Sequence, residues 1–199
     1  MDVGIIGTGN VGGALANGLA AAGHDVVVGS RDPDSHHIED TEVVAQQAAA
    51  ERGEVVVLAL PADVVSDVAA DLGDALAGKP VLDPTNEYPT ASGDGSVAER
   101  VAAAVPDAHV VKAFNTIGAN LMADPVVDGD PASMFLAGDD GDAVGVAESL
   151  ASDLGFEPVV AGDLSAATHL EHLARFWIDL TQDHGRDIAF RLLREEATS

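Results

Sequence analysis

A glycine spacing near the start constrains this chain more than any other feature. Gly7, Gly9 and Gly12 form G-x-G-x-x-G between an apolar run, Val3 to Ile6, and a stripe of Val11, Leu15 and Leu19 at helical spacing. Strand, glycine turn, helix is the order that a dinucleotide site requires. Gly7 permits the tight turn, Gly9 lets the backbone approach a pyrophosphate, and Gly12 lets the helix pack against the sheet. The free N–H groups of the helix start then face the phosphate charge. Thr8, Asn10 and Val11 fall inside the same turn and count with the glycines as cofactor-binding residues. The competing reading is a glycine-rich turn in some other α/β protein.

Strand-like and helix-like segments alternate behind this turn. Strands are expected at 25–29, 54–60, 81–83, 109–113, 133–137 and 158–161. Helices are expected at 41–52, 62–76, after Ser96, at 142–154, and over 165–196 with a break near Gly185. Ser96 with Glu99 reads as a capping box. DPTNEYPTASGDG, residues 83–95, reads as a loop. Apolar strands joined by helices imply a Rossmann-type doubly wound α/β fold, with a mostly parallel sheet covered on both faces. The division expected is a dinucleotide-binding domain over 1–162 and a short C-terminal helical extension over 163–199, in one compact unit. The eleven residues between Gly29 and Thr41 are short for a parallel crossover. The usual elements there should be abbreviated, with His36 to Glu39 as a vestigial edge strand.

Composition restricts the partners. The chain of 199 residues carries 34 acidic and 9 basic side chains, a net charge of −25. Nucleic acid and anionic membranes would be repelled. The acidic residues are dispersed, lysines number two (Lys79 and Lys112), and the composition looks like that of a salt-loving archaeon. At molar salt the Debye length falls to about 3 Å, which screens the self-repulsion. A merely acidic mesophilic protein is the alternative. There is no cysteine, which excludes disulfides and thiolate catalysis. The expectation is a cytoplasmic protein with no signal peptide and no membrane span.

The second strand ends Gly29-Ser30-Arg31. An acidic residue there would bind a ribose 2′-OH, whereas Arg31 offers a planar fork suited to a 2′-phosphate and Ser30 a hydroxyl. NADP(H) is therefore expected over NAD(H), with Asp32 and Asp34 as nearby opposing charges. Arg31 as a solvated loop charge is the alternative. Leu60, Pro61 and Ala62 follow an apolar strand and should lie near the switch point of the sheet. Asn86 and Asn115 also follow strands and are candidates to hydrogen-bond a nicotinamide carboxamide. Each Asn reads equally as a turn or cap residue, and Ile117 equally as core packing.

Taken together, GTGNVGGALANGLAAAGHDVVVGSR, VVVLALP, VLDPTN, VVKAFNTIGANLMADP, FLAGDD and LEHLARFWIDL resemble the NADPH-dependent F420 reductase family, also called F420:NADP oxidoreductases. The oxidoreductase domain of the STEAP metalloreductases is similar. The resemblance spans nearly the whole chain. It implies hydride exchange between NADPH and a deazaflavin coenzyme, F420, and it places Thr8, Asn86 and Ile117 at the ring contact. Such chemistry belongs to the cofactors and needs no Ser-His-Asp or Cys-His set. An NADPH-dependent flavin or ferric reductase, and a redox sensor without turnover, are the alternatives. Thr168 stands where the family often has an arginine, leaving that role to His169 or Arg175 or to nothing.

His169 and His172 are two ligands without a third, so no metal site is assigned. Phe176, Trp177 and Ile178 read as core or as the contact of a homodimer through the C-terminal helices.

Overall fold

Ile5 and Ile6 are neighbours in the chain and both fully buried, yet they enter different cores. Val55 and Val57 likewise face one core while Val56 and Leu58 face the other. Strand side chains alternate in direction, so a run that is apolar at every position needs cover on both faces. Each such side chain contributes about 1.5–3 kcal/mol by its burial.

The computed structural model describes residues 1–88 and 95–195. Its strands are β1 (Asp2–Ile6), β2 (Asp25–Ser30), β3 (Glu42–Ala45), β4 (Val55–Leu58), β5 (Pro80–Asp83), β6 (His109–Lys112), β7 (Val126–Val127), β8 (Asp130–Pro131), β9 (Ser133–Gly138) and β10 (Glu157–Gly162). Its helices are α1 (Asn10–Ala21), α2 (Gln46–Arg52), α3 (Val65–Leu72), α4 (Val97–Ala104), α5 (Gly141–Asp153) and α6 (Ala167–His184). Eight strands form one sheet in the order β10-β9-β6-β5-β4-β1-β2-β3, and β7 and β8 form a separate hairpin. Within the eight-stranded sheet, pairing is parallel except between β6 and β9, and the β7–β8 hairpin is antiparallel. This is the expected Rossmann-like α/β fold. Strand order reverses between β1 and β4, which opens a crevice at their carboxyl ends.

Three local expectations need correction. The helix expected at Thr41 begins only at Gln46, because Glu42–Ala45 pairs in parallel with β2, Val27 opposite Glu42 through Ser30 opposite Ala45. The β-branched pair Val43-Val44 suits an edge strand better than a first helical turn. His36 to Glu39 is consequently no edge strand; the segment contributes a single bridge, Ile38 to Thr41. The crossover from β2 to β3 carries one 3-10 turn, Pro33–Ser35, in place of a helix.

The C-terminal helix ends at His184, where Gly185 takes φ 77°. Beyond it the described residues run without helix to 195, and the Phe190 carbonyl accepts from the Ser133 N–H at 2.9 Å. A backbone donor offered by β9, the Ser133 N–H, outcompetes continued helix here. Residues 89–94 of the expected loop, and Glu196 of the expected helix, lie outside the described residues. The capping box is present: Ser96 Oγ accepts from the Glu99 N–H at 3.1 Å, and Glu99 Oε2 accepts from the Ser96 N–H at 2.7 Å. Among the described residues no helix is long and apolar enough to cross a membrane.

Candidate functional site

The glycine turn after β1 is fixed by close contact. Gly7 has φ 121°, and a Cβ there would lie 2.1 Å from the Ala59 carbonyl oxygen. A Cβ on Gly12 would lie 2.0 Å from the Gly7 carbonyl oxygen. These two glycines hold α1 against the turn and β4. Gly9 differs: a Cβ would meet nothing within 4 Å, because that face is open to the crevice. No side chain caps α1, and its first turn holds no acidic residue. Uncapped helix N–H groups beside an open glycine face suit a phosphate.

Two chambers meet at this turn. The first, about 510 Å³, is bordered by Gly7, Thr8 and Gly9 on one side and by Ser30, Arg31 and His36 on the other. The second, about 320 Å³, is bordered by Gly9, Asn10, Val11, Pro84, Thr85 and Asn86. Leu60 and Pro61 line both, and Ala62 lines the second. The cleft therefore follows the carboxyl ends of β2, β1, β4 and β5 across the switch point.

At the first end, Ser30 is 5% exposed and its Oγ accepts from the Asp32 N–H at 3.1 Å. His36 Nδ1 lies 3.2 Å from Ser30 Oγ and 3.0 Å from the Asp32 carbonyl oxygen, to which it donates in the tautomer that satisfies both. Asp32 also borders the chamber, but its carboxylate accepts from Ser35 Oγ at 2.5 Å. Arg31 is exposed and forms no ion pair among the described residues.

At the second end, Asn86 and Asn115 are locked together. Asn86 Nδ2 donates to the Asn115 carbonyl at 2.7 Å, and Asn115 Nδ2 donates to Asn86 Oδ1 at 3.0 Å. Asn115 Oδ1 and Thr116 Oγ1 are buried without a partner. Unsatisfied buried acceptors are costly and call for a reason. Phe114 precedes them with φ 60°, a conformation uncommon for a bulky residue, and turns the chain sharply off β6. Its N–H donates to Met134 Sδ at 3.0 Å.

Of the residues expected from sequence, Gly7, Thr8, Gly9, Asn10, Val11, Ser30, Arg31, Leu60, Pro61, Ala62 and Asn86 line the cleft. Gly12 supports it from behind. Asn115 reaches it through Asn86. Ile117 is 8% exposed, belongs to the core cluster beside α1, and borders neither chamber. Thr168 Oγ1 lies 3.5 Å from Glu99 Oε2 and backs the α4 cap. The Glu99 carboxyl is held below its usual range, first by the Ser96 backbone N–H and then by the Ser96 hydroxyl. Trp177 is buried in its own chain, while Phe176 is 53% exposed and stacks on Phe190. Among the described residues no group of three metal-ligating side chains occurs.

One cluster escaped sequence reading. Lys112, fully buried at the end of β6, donates to Asp83 Oδ2 at 2.9 Å, to Glu171 Oε1 at 2.8 Å and to the Thr85 carbonyl. Asp83 Oδ1 accepts from the Thr85 N–H at 2.9 Å, and Glu171 Oε1 from the Val97 N–H at 2.8 Å. One ammonium thus ties β5, β6 and α6 to the Pro84–Asn86 loop that floors the second chamber. A lysine ending an apolar strand was the available signal, since a buried charge needs partners. Those partners lie 29 and 59 residues away, beyond any local pattern.

Fold and cleft together define a dinucleotide-binding protein of the doubly wound α/β class. The family described as NADP oxidoreductase, coenzyme F420-dependent, matches residues 2–87. The chain is 31% identical over 202 residues to the F420-dependent NADP reductase of Methanothermobacter marburgensis, covering 87% of this chain and 89% of that one. It is 33% identical over 174 residues to Metalloreductase STEAP3 of Rattus norvegicus, covering 85% of this chain but 35% of the relative. A crystal structure from Arthrobacter sp. FB24 superposes with TM-score 0.89 at 29% identity, covering 98% of this chain and all of the other. The chain belongs to the family of coenzyme F420-dependent NADP oxidoreductases. It is an NADP-dependent oxidoreductase of that family.

Proposed function

We propose that this protein passes a hydride between NADPH and a deazaflavin coenzyme, F420. The observation that carries the proposal is the pair of joined chambers, with an arginine that forms no ion pair among the described residues at one end and Asn86 beside the strand end Leu60 to Ala62 at the other. Arg31 and Ser30 are assigned to the 2′-phosphate, and the open face of Gly9 with the uncapped start of α1 to the pyrophosphate. Asn86 is assigned to the carboxamide end, with Asn115 behind it holding its amide by reciprocal hydrogen bonds. The bound cofactors supply the hydride donor and acceptor. The chain supplies alignment of two rings and exclusion of water.

Asn86 in the second chamber is assigned to the ring contact and Thr8, beside the glycine turn in the first, to the approach to it, while Ile117 lies in the core and borders neither chamber. The acidic surface suits concentrated salt in a cytoplasm. The surface assigned to a second copy is α6, where Phe176 is exposed although it stacks on Phe190. The test mixes purified protein in molar KCl with NADPH and either F420 or a flavin plus ferric iron. Deazaflavin reduction is expected. Fast flavin or iron reduction with inert F420 would move the assignment to a metalloreductase-type activity, and tight NADPH binding without any turnover would indicate a sensor.

A further inference from the structure

A third recess, about 390 Å³, lies beside the phosphate turn and is bordered by Asn10, Ala119, Asn120 and Arg186. Asn10 is the first residue of α1 and also borders the second chamber, so recess and cleft meet at the helix start. Arg186 comes from the segment that follows Gly185. That segment is held at three points: Asn120 Nδ2 donates to the Arg186 carbonyl at 3.2 Å and to Asp187 Oδ1 at 2.9 Å, and Trp177 Nε1 donates to the Ile188 carbonyl at 2.8 Å. The guanidinium carbon sits 5.8 Å from the centre of the Trp177 ring.

Charge makes this placement informative. In a chain with net charge −25, carboxylates are plentiful; Arg52 and Arg100 each pair with one and Arg191 with two, whereas Arg31, Arg175, Arg186 and Arg194 form no ion pair among the described residues. Arg186 forms no ion pair among the described residues, and its neighbour Asp187 is already engaged by Asn120. Stacking on Trp177 occupies one face of the guanidinium but leaves its edge N–H donors available, in a geometry that matches phosphate oxygens. Arg31 likewise forms no ion pair among the described residues and borders the first chamber. The two stand on different elements, with the start of α1 bordering the spaces on either side.

We propose that Arg186 is a second phosphate-reading residue, which takes the pyrophosphate of the bound dinucleotide from the side opposite the glycine turn. The proposal rests on the NADP assignment made above. It gives each of the two phosphate groups its own cation, Arg31 for the 2′-phosphate and Arg186 for the pyrophosphate. The C-terminal segment, which has no part in the glycine fingerprint, thereby becomes part of the cofactor site.

The experiment measures dissociation constants for NADP+, NAD+ and adenosine 2′-monophosphate at one fixed KCl concentration, with wild type, Arg186→Gln, Arg186→Lys and Arg31→Ala. Arg186→Gln should weaken NADP+ and NAD+ by the same factor, roughly tenfold, and leave the monophosphate unchanged. Arg186→Lys should recover part of the loss, because it keeps the charge but not the fork. Arg31→Ala should weaken NADP+ and the monophosphate and spare NAD+. Unchanged NADP+ binding in Arg186→Gln, or an equal loss for the monophosphate, overturns the proposal while leaving the NADP assignment intact. Wild-type protein that binds neither dinucleotide overturns both.

Discussion

Replacing Lys112 by methionine tests the wiring beneath the second chamber. Met fills most of the lysine's volume and removes its charge. Every donor of the ammonium has a partner in the native protein: Asp83, Glu171 and the Thr85 carbonyl. Without it, Asp83 (0% exposed) and Glu171 (5% exposed) become buried carboxylates that share a site with no cation. Their remaining donors, the N–H groups of Thr85 and Val97, do not neutralise them. Removing one partner of a buried ion pair costs about 3–5 kcal/mol. That is a large part of a total stability of roughly 5–15 kcal/mol. For a chain of this length it corresponds to a fall in Tm of roughly 10 °C. Urea unfolding followed by circular dichroism, at one fixed KCl concentration, should show a lower midpoint with an unchanged slope. The triple variant K112M/D83N/E171Q should regain more than half of the loss, since the stranded charges are gone. A loss below about 1 kcal/mol for K112M, far under the buried-pair range, or a triple variant no more stable than the single one, would refute the argument.

Gly9→Ala should leave Tm within a degree or two of wild type while abolishing tight NADP+ binding, because its Cβ meets only the open cleft. Gly12→Ala should instead lower Tm markedly, because its Cβ would meet the Gly7 carbonyl oxygen at 2.0 Å. Equal melting temperatures for the two would contradict these separate roles. Glu99 has its pKa lowered in the folded protein, so its contribution is complete above the unfolded value and is lost as pH falls through the folded one. The stability difference between wild type and Glu99→Gln should therefore be constant near neutrality and shrink below about pH 4; a difference independent of pH would remove the Glu99 charge from the account. Ser96→Ala should cost about 1 kcal/mol by removing the cap, read by the same urea titration. Raising KCl from about 0.1 M to 1 M cuts the Debye length from about 10 Å to 3 Å, and Tm should rise over that range. A flat or falling Tm would argue against self-repulsion as the dominant consequence of the net charge of −25.

Much of the fold was legible because its signals are local. The apolar run at 3–6, the G-x-G-x-x-G spacing and the capping box at Ser96 each depend on contacts within a few residues. Ser30 and Arg31 could be placed for the same reason: they end a strand whose position the apolar pattern fixes, and they do reach the first chamber. The reading failed where two local structures compete. Glu42–Ala45 is compatible with a helix start, and only the exposed edge of β2 makes it a strand. The segment after Gly185 has helical composition, yet the Ser133 N–H and Trp177 Nε1 draw its carbonyls away from a helix.

By itself, the sequence determined the doubly wound order, the glycine turn and the basic residue at the end of β2, since periodicity and backbone sterics act over one or two turns of chain. Tertiary structure alone decided which side chains share a space. It joined Lys112 to Asp83 and Glu171, and Asn86 to Asn115. It buried Ile117 in the core rather than exposing it in a chamber, and it brought Arg186 beside Asn10 across 176 positions of sequence. Hydrogen bonds and ion pairs are short-ranged in space but indifferent to separation along the chain, and only the packed sheet sets which distant groups meet.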